Sequence, residues 1–248
     1  MRRAAAALAG LLCVAISATM LTAPGRAARG DDTPVVFAAA SLTEVLPRID
    51  ATARYSFGGS NQLAQQIRQG APADVFLSAS PKYTQGLYRE GLVRKPVPFA
   101  TNTLVVIVPR SNPAGIRTIA DLARRPGLRL VVAGPQVPVG LYTRKVLQRL
   151  GLLSILRRAV SQEQDVKGVV AKVALGEADA GFVYATDARA AASRVRTVAI
   201  PARAQPRVLY EAAVVAGSRH VDAAQAFLIE LLSAAGRREL RASGFGVP

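Results

Sequence analysis

From residue 35 onward, short runs of β-branched and aromatic residues alternate with stretches whose apolar positions recur every three or four residues, the pattern of strands alternating with helices. The first run, residues 35–40, is an apolar strand that meets Ser41. Leu42, Val45, Leu46 and Ile49 then share one face of a short helix interrupted by Pro47. A second strand at 54–57 ends in Gly58-Gly59-Ser60, and Leu63 and Ile67 mark the buried face of the helix that follows. A strand within residues 71–80 leads to a helix opened by Pro81 and carrying Leu87 and Tyr88. Residues 103–109 are uniformly apolar, as strands covered on both faces are.

Residues 109–115 read as a crossing into a second unit. There the pattern predicts a short helix at 119–122, a strand at 128–133, a loop at 134–140 and a helix from Leu141 to Leu150. An extended piece at 160–164 precedes a helix capped by Asp165, and strands at 180–184 and 195–200 flank a helix at 185–192. After a linker at 201–206, a strand at 208–215 returns to the first unit, and two helices close the chain. The class is therefore α/β, with helices on both faces of parallel sheets. The expected lobes are residues 33–108 with 207–248, and residues 109–206. Two lobes joined by two crossings enclose a cleft, and ligands of such sheets sit beyond the carboxyl ends of the strands. Ser41 and Ser60 stand there, each between a strand and a helix start, where unpaired amides and the helix dipole favour an anion.

The first 27 residues stand apart. Arg2-Arg3, an apolar run from Ala4 to Leu21 and small residues around Gly25-Arg26-Ala27 form the pattern of a secretory signal peptide. The run approaches the roughly 20 residues that span a bilayer, but its alanine content makes a poor anchor. Ala4-Ala5 follows the arginines where a twin-arginine signal carries a bulkier apolar pair. The single cysteine, Cys13, lies in this segment behind a bulky Leu12, which disfavours lipid anchoring and leaves a mature chain without disulfides. The expected location is periplasmic or otherwise extracytoplasmic.

A formal net charge of +16 falls to +13 when Arg2, Arg3 and Arg26 leave with the signal. The arginines are scattered, in pairs at most, with few aromatics between them, which describes a solvated surface and no nucleic-acid module. The only histidine, His220, precedes the penultimate helix, so Ser41 and Ser60 have no evident base and catalysis is not expected. A Cys/His cluster for direct metal coordination is also lacking.

Six segments carry a family likeness: 37–43 (FAAASLT), 57–60 (FGGS), 69–76 (QGAPADVF), 137–142 (VPVGLY), Asp165-Val166 and 183–188 (VYATDA). Together they closely resemble the periplasmic molybdate-binding proteins of bacterial molybdate ABC transporters, over essentially the whole mature chain. The resemblance implies a two-lobed periplasmic binding-protein fold of type II, each lobe a mixed, mainly parallel sheet flanked by helices, with the ligand cleft between the lobes. It implies high-affinity capture of molybdate, and of tungstate, by Ser41, Ser60, Val139, Val166 and Tyr184, the two valines acting through their amides. It further implies a monomer that delivers its ligand to a membrane permease and its ATPase, with no cofactor and with molybdenum present only as the bound oxyanion. Two departures stand out: the stretch between Ser41 and Ser60 is short and contains Pro47, and Glu211 replaces a common proline.

A fully deprotonated tetrahedral dianion presents only acceptors, so its ideal site presents only donors, as these five residues do. The same fold could bind another oxyanion, such as sulfate or a phosphonate. The effector half of a transcription regulator shares such lobes, but conflicts with the signal peptide and the absence of DNA-binding helices.

Overall fold

The computed structural model describes residues 33–248. The proposed signal peptide, residues 1–27, with Cys13 inside it, lies outside the described residues. The described part of the chain begins with β1 (Val35–Ala39), passes a 3₁₀ turn at Ala40–Leu42 to α1 (Leu46–Ile49), and continues through β2 (Arg54–Gly58), α2 (Ser60–Arg68), β3 (Val75–Ser78), α3 (Pro81–Arg89) and β4 (Val97–Asn102). Next come β5 (Leu104–Pro109), α4 (Asp121–Arg124), β6 (Leu130–Ala133), α5 (Pro138–Arg149), β7 (Ala159–Glu163), α6 (Val166–Ala174), β8 (Ala180–Tyr184), α7 (Ala185–Ala190) and β9 (Val195–Ala199). The chain closes with β10 (Val208–Val214), α8 (Val221–Leu232) and α9 (Ala234–Ala242).

Two five-stranded sheets result, in the orders β2-β1-β3-β10-β4 and β7-β6-β8-β5-β9. Each is mixed. In the first, β1 runs parallel to β2 and β3 while β10 runs against β3 and β4; in the second, β6 runs parallel to β7 and β8 while β5 runs against β8 and β9. Parallel and antiparallel pairings are thus equal in number, a larger antiparallel share than the sequence suggested. This share arises because the strand that enters or re-enters each sheet after a crossing inserts antiparallel between the central strand and an edge strand.

The position of β5 corrects the expected lobe boundary. Residues 104–108 are expected to end the first lobe, yet β5, which contains them, pairs with β8 and β9 in the second sheet. The chain therefore crosses at Thr103, and its apolar character reflects burial inside the second sheet. Gln205 on the return crossing accepts the Leu104 N–H (3.0 Å) and donates to the Leu104 carbonyl (2.7 Å), binding the two crossings side by side. The preceding strand β4 is not predicted by the sequence pattern, because it contains Pro98. A proline cannot donate to a ladder, and β4 tolerates it by lying at the sheet edge.

Local chemistry explains the helix starts. Ser80 caps α3 through its hydroxyl, which accepts from Lys82 N, and Pro81 stands in the first turn, where its missing N–H costs nothing. Asp165 caps α6 as the sequence indicated, accepting from Gly168 N at 3.0 Å. The apolar faces of both sheets are covered. Leu42, Val45 and Leu46 join one extended core with the strands of both sheets, while Leu63, Ile67, Tyr83 and Leu87 of α2 and α3 cover the other face of the first sheet.

Candidate functional site

Three helix N-termini converge at the carboxyl ends of the strands. Ser60 is the first residue of α2, Val139 the second of α5 and Val166 the first of α6. The amides of a first helical turn have no carbonyl to bond within their own helix, and they carry the positive end of its dipole. Ser41 comes from the turn after β1, and Tyr184 from the last position of β8. All five line a single chamber, together with Ala39, Ala40, Gly58, Gly59, Ala79, Val137, Pro138 and Asp165. The space between them is at most about 210 Å³, and every one of the five is buried. No lysine or arginine lines it. The one carboxylate at its border, Asp165, is engaged in capping α6.

Two local expectations are corrected here. Ser41 does not stand directly at the start of an α-helix; it sits in the middle of the 3₁₀ turn, and α1 opens only at Leu46, with Pro47 in its first turn. Proline is excluded from a helix interior but suited to the start, so it delays the helix rather than interrupting it. Residues 134–140 are not all loop either, because α5 begins at Pro138. Gly140 permits this: a Cβ there would lie 2.2 Å from the Gly134 carbonyl oxygen and 2.6 Å from that of Ala133. Only glycine lets the helix start press against the end of β6, so this glycine belongs to the helix and not to a turn.

The hydroxyls are held by neighbouring groups of the protein or by none. Ser60 Oγ accepts the Ala79 N–H at 3.1 Å. Ser41 Oγ lies 2.8 Å from the Tyr210 hydroxyl. The Tyr184 hydroxyl is buried and has no hydrogen-bond partner among the described residues. Burial, with the Tyr210 phenol next in importance, pushes Tyr184 well above the ordinary tyrosine value, so it keeps its proton. Ala79 and Tyr210 carried no signal in the sequence, since a backbone amide and a core aromatic acquire these roles only through the fold.

Behind the chamber, Asp187 is fully enclosed, and Lys167 Nζ stands 3.3 Å from its Oδ1. Burial pushes this carboxyl up to about 6, partly offset by Lys167. Lys167 also reaches across to Glu44 at 3.6 Å, linking the two lobes beside Ser41. Further cross-lobe contacts ring the chamber: Gln62 Nε2 donates to Gln164 Oε1 (3.0 Å), Lys82 Nζ to Gln136 Oε1 (2.8 Å), and the Tyr83 hydroxyl to the Gln136 carbonyl. Gly59 makes the tightest approach, because a Cβ there would come within 2.5 Å of the Gln164 carbonyl oxygen.

The other singled-out residues lie elsewhere. His220 Nδ1 is 3.2 Å from Asp74 Oδ2, and Asp74 also accepts from Val35 N and the Ser218 hydroxyl, a structural cluster at the far end of the first sheet. Glu211 is buried beside a register shift in β10, with donors from Thr84 and from Gln85 Nε2 at 3.1 Å. It thus takes part in packing α3 onto the sheet.

Two mixed α/β lobes meeting over a small, buried, donor-lined chamber define a protein that encloses a solute between its lobes. The chain belongs to the bacterial extracellular solute-binding protein family, whose pattern matches residues 34–246. It is 39% identical over 237 residues to the molybdate-binding protein ModA of Mycobacterium tuberculosis, covering 92% of this chain and 89% of that one. Among solved structures it resembles the substrate-binding domain of a putative molybdenum ABC transporter from Clostridium difficile (31% identity, TM-score 0.63, 86% of this chain and 98% of that one). It also shares its fold with the periplasmic molybdate-binding protein of Azotobacter vinelandii (24% identity, TM-score 0.77, 87% and 99%). Proteins of this kind bind a ligand rather than a cofactor and serve transporters; the chain is not an enzyme.

Proposed function

We propose that this protein captures molybdate, and tungstate with it, outside the cytoplasm and hands it to the permease and ATPase of an ABC importer. The observation that carries this reading is the convergence of Ser41, Ser60, Val139, Val166 and Tyr184 on one buried chamber. Between them they offer three hydroxyls and the amides of three helix first turns, with no lysine or arginine. Hydrogen bonds to a charged group contribute about 1.5–3 kcal/mol each, and several together with the helix dipoles offset the desolvation of a dianion without a counter-ion. A ligand that retains a proton, such as monohydrogen phosphate, would bring a donor into a site made of donors. The relationship to molybdate-binding proteins supports the choice of molybdate among deprotonated tetrahedral anions.

The mature chain is proposed to act as an exported monomer, without lipid at Cys13. Its basic surface assists by raising the local concentration of small anions.

Isothermal calorimetry of the mature protein against molybdate, tungstate, sulfate and phosphate tests the reading. Tight one-to-one binding of molybdate and tungstate is expected, with phosphate binding weaker by about three orders of magnitude, the loss that roughly 4 kcal/mol of mispaired donors produces. Tight binding of sulfate without molybdate would overturn it.

A further inference from the structure

The direction of the Ser41 hydroxyl is decided two residues away from the chamber. Thr103 N lies 2.9 Å from Asn102 Oδ1, and a backbone N–H can only donate. The Asn102 oxygen is thereby identified, and its Nδ2 must face the other way. There it donates to Thr186 Oγ1 at 2.9 Å and to the Tyr210 hydroxyl at 3.4 Å. Tyr210 is fully buried between Phe99, Tyr184 and Phe245. With a donor on one side, its single proton needs an acceptor on the other. Among the described residues that acceptor is Ser41 Oγ, at 2.8 Å. Burial pushes the Tyr210 phenol far above its ordinary value, so the proton is never lost. Ser41 therefore receives one hydrogen bond from behind, so its own proton is not spent on Tyr210 and is left for the chamber.

We propose that Asn102 and Tyr210 are positioning residues that determine specificity: the chain Asn102 to Tyr210 to Ser41 holds Ser41 as a donor, so that the chamber rejects a tetrahedral anion bearing a proton. Neither residue lines the chamber. The proposal rests on the molybdate reading above and explains how its selectivity is enforced. Ser60 reaches the same polarity independently, since its oxygen is occupied by the Ala79 amide. Ser41 is different because its partner is a hydroxyl, which is reversible in principle. Only the fixed orientation of the Asn102 amide prevents the reversal.

Tyr210→Phe removes the hydroxyl and keeps the ring. Ser41 is then free to turn its lone pairs toward the ligand and accept a hydrogen bond from the O–H of monohydrogen phosphate or monohydrogen arsenate. Asn102→Asp tests the same chain differently: a carboxylate draws the Tyr210 proton to itself, so Ser41 must donate backward and present its oxygen forward. Competition titrations of molybdate with phosphate, arsenate and sulfate read the outcome. In both variants the preference for molybdate over phosphate and arsenate is expected to fall at least tenfold, while the preference relative to sulfate, which carries no proton, stays within about twofold of wild type. General loosening of the site would move all ratios together, and that result, or unchanged phosphate and arsenate ratios, overturns the proposal. If wild type binds no molybdate, the underlying reading fails and this proposal with it; if wild type binds and only the variants behave otherwise, this proposal fails alone.

Discussion

Replacing Gly59 with alanine is expected to weaken molybdate binding about 10- to 100-fold while leaving the protein folded. Gly59 has φ −64° and ψ 130°, a conformation open to any residue, so alanine meets no backbone strain of its own. The obstacle is across the cleft. The new Cβ would lie 2.5 Å from the Gln164 carbonyl oxygen, on the strand end of the other lobe, and 2.8 Å from Asn61 Oδ1. The Gln164 carbonyl is backbone and has little room to yield, whereas the Asn61 side chain can turn away, and overpacking of this kind costs about 1–3 kcal/mol. That cost falls on the closed arrangement, because separating the lobes removes the clash with Gln164. Calorimetry should therefore show a large loss of affinity beside a nearly unchanged thermal unfolding midpoint without ligand. An unchanged affinity would mean that binding does not require the approach of Gly59 to Gln164.

Tyr184→Phe is the cleanest probe of the ligand contacts. The Tyr184 hydroxyl is buried without a partner among the described residues, so its removal relieves an unsatisfied polar group and is expected to leave unliganded stability equal or slightly higher. Molybdate, by contrast, loses a hydrogen bond to a charged oxygen worth about 1.5–3 kcal/mol, or about 10- to 100-fold in affinity. The two serines are less clean. Ser60→Ala would strand the buried Ala79 amide, and Ser41→Ala would leave the Tyr210 hydroxyl without its acceptor. Affinity and stability would fall together there. A Tyr184→Phe protein that binds as tightly as wild type would remove Tyr184 from the site.

Much of this was legible in the sequence because the site is built at strand-to-helix junctions. Such junctions leave a short-range trace: apolar run, glycine or serine, then helical spacing. FGGS and the Asp165 cap were readable in this way. What stayed hidden depends on long-range pairing. The apolar run of β5 looks the same whether it closes the first sheet or sits inside the second, and only its pairing with β8 and β9 decides. Pro98 masked an edge strand because local propensity does not reveal edge position. The partners of Ser41 and Ser60 lie 169 and 19 residues away, beyond any local pattern. For the same reason Asn102 gave no sign of its connection to Ser41.

The most direct test of the proposed site is a crystal structure of the protein with molybdate, with diffraction data collected above the molybdenum absorption edge. The anomalous peak should fall inside the chamber, with oxygens about 2.7–3.2 Å from the hydroxyls of Ser41, Ser60 and Tyr184 and from the amides of Val139 and Val166. A single strong peak outside the chamber, or one inside it beyond reach of Ser60 and Tyr184, would contradict the assignment.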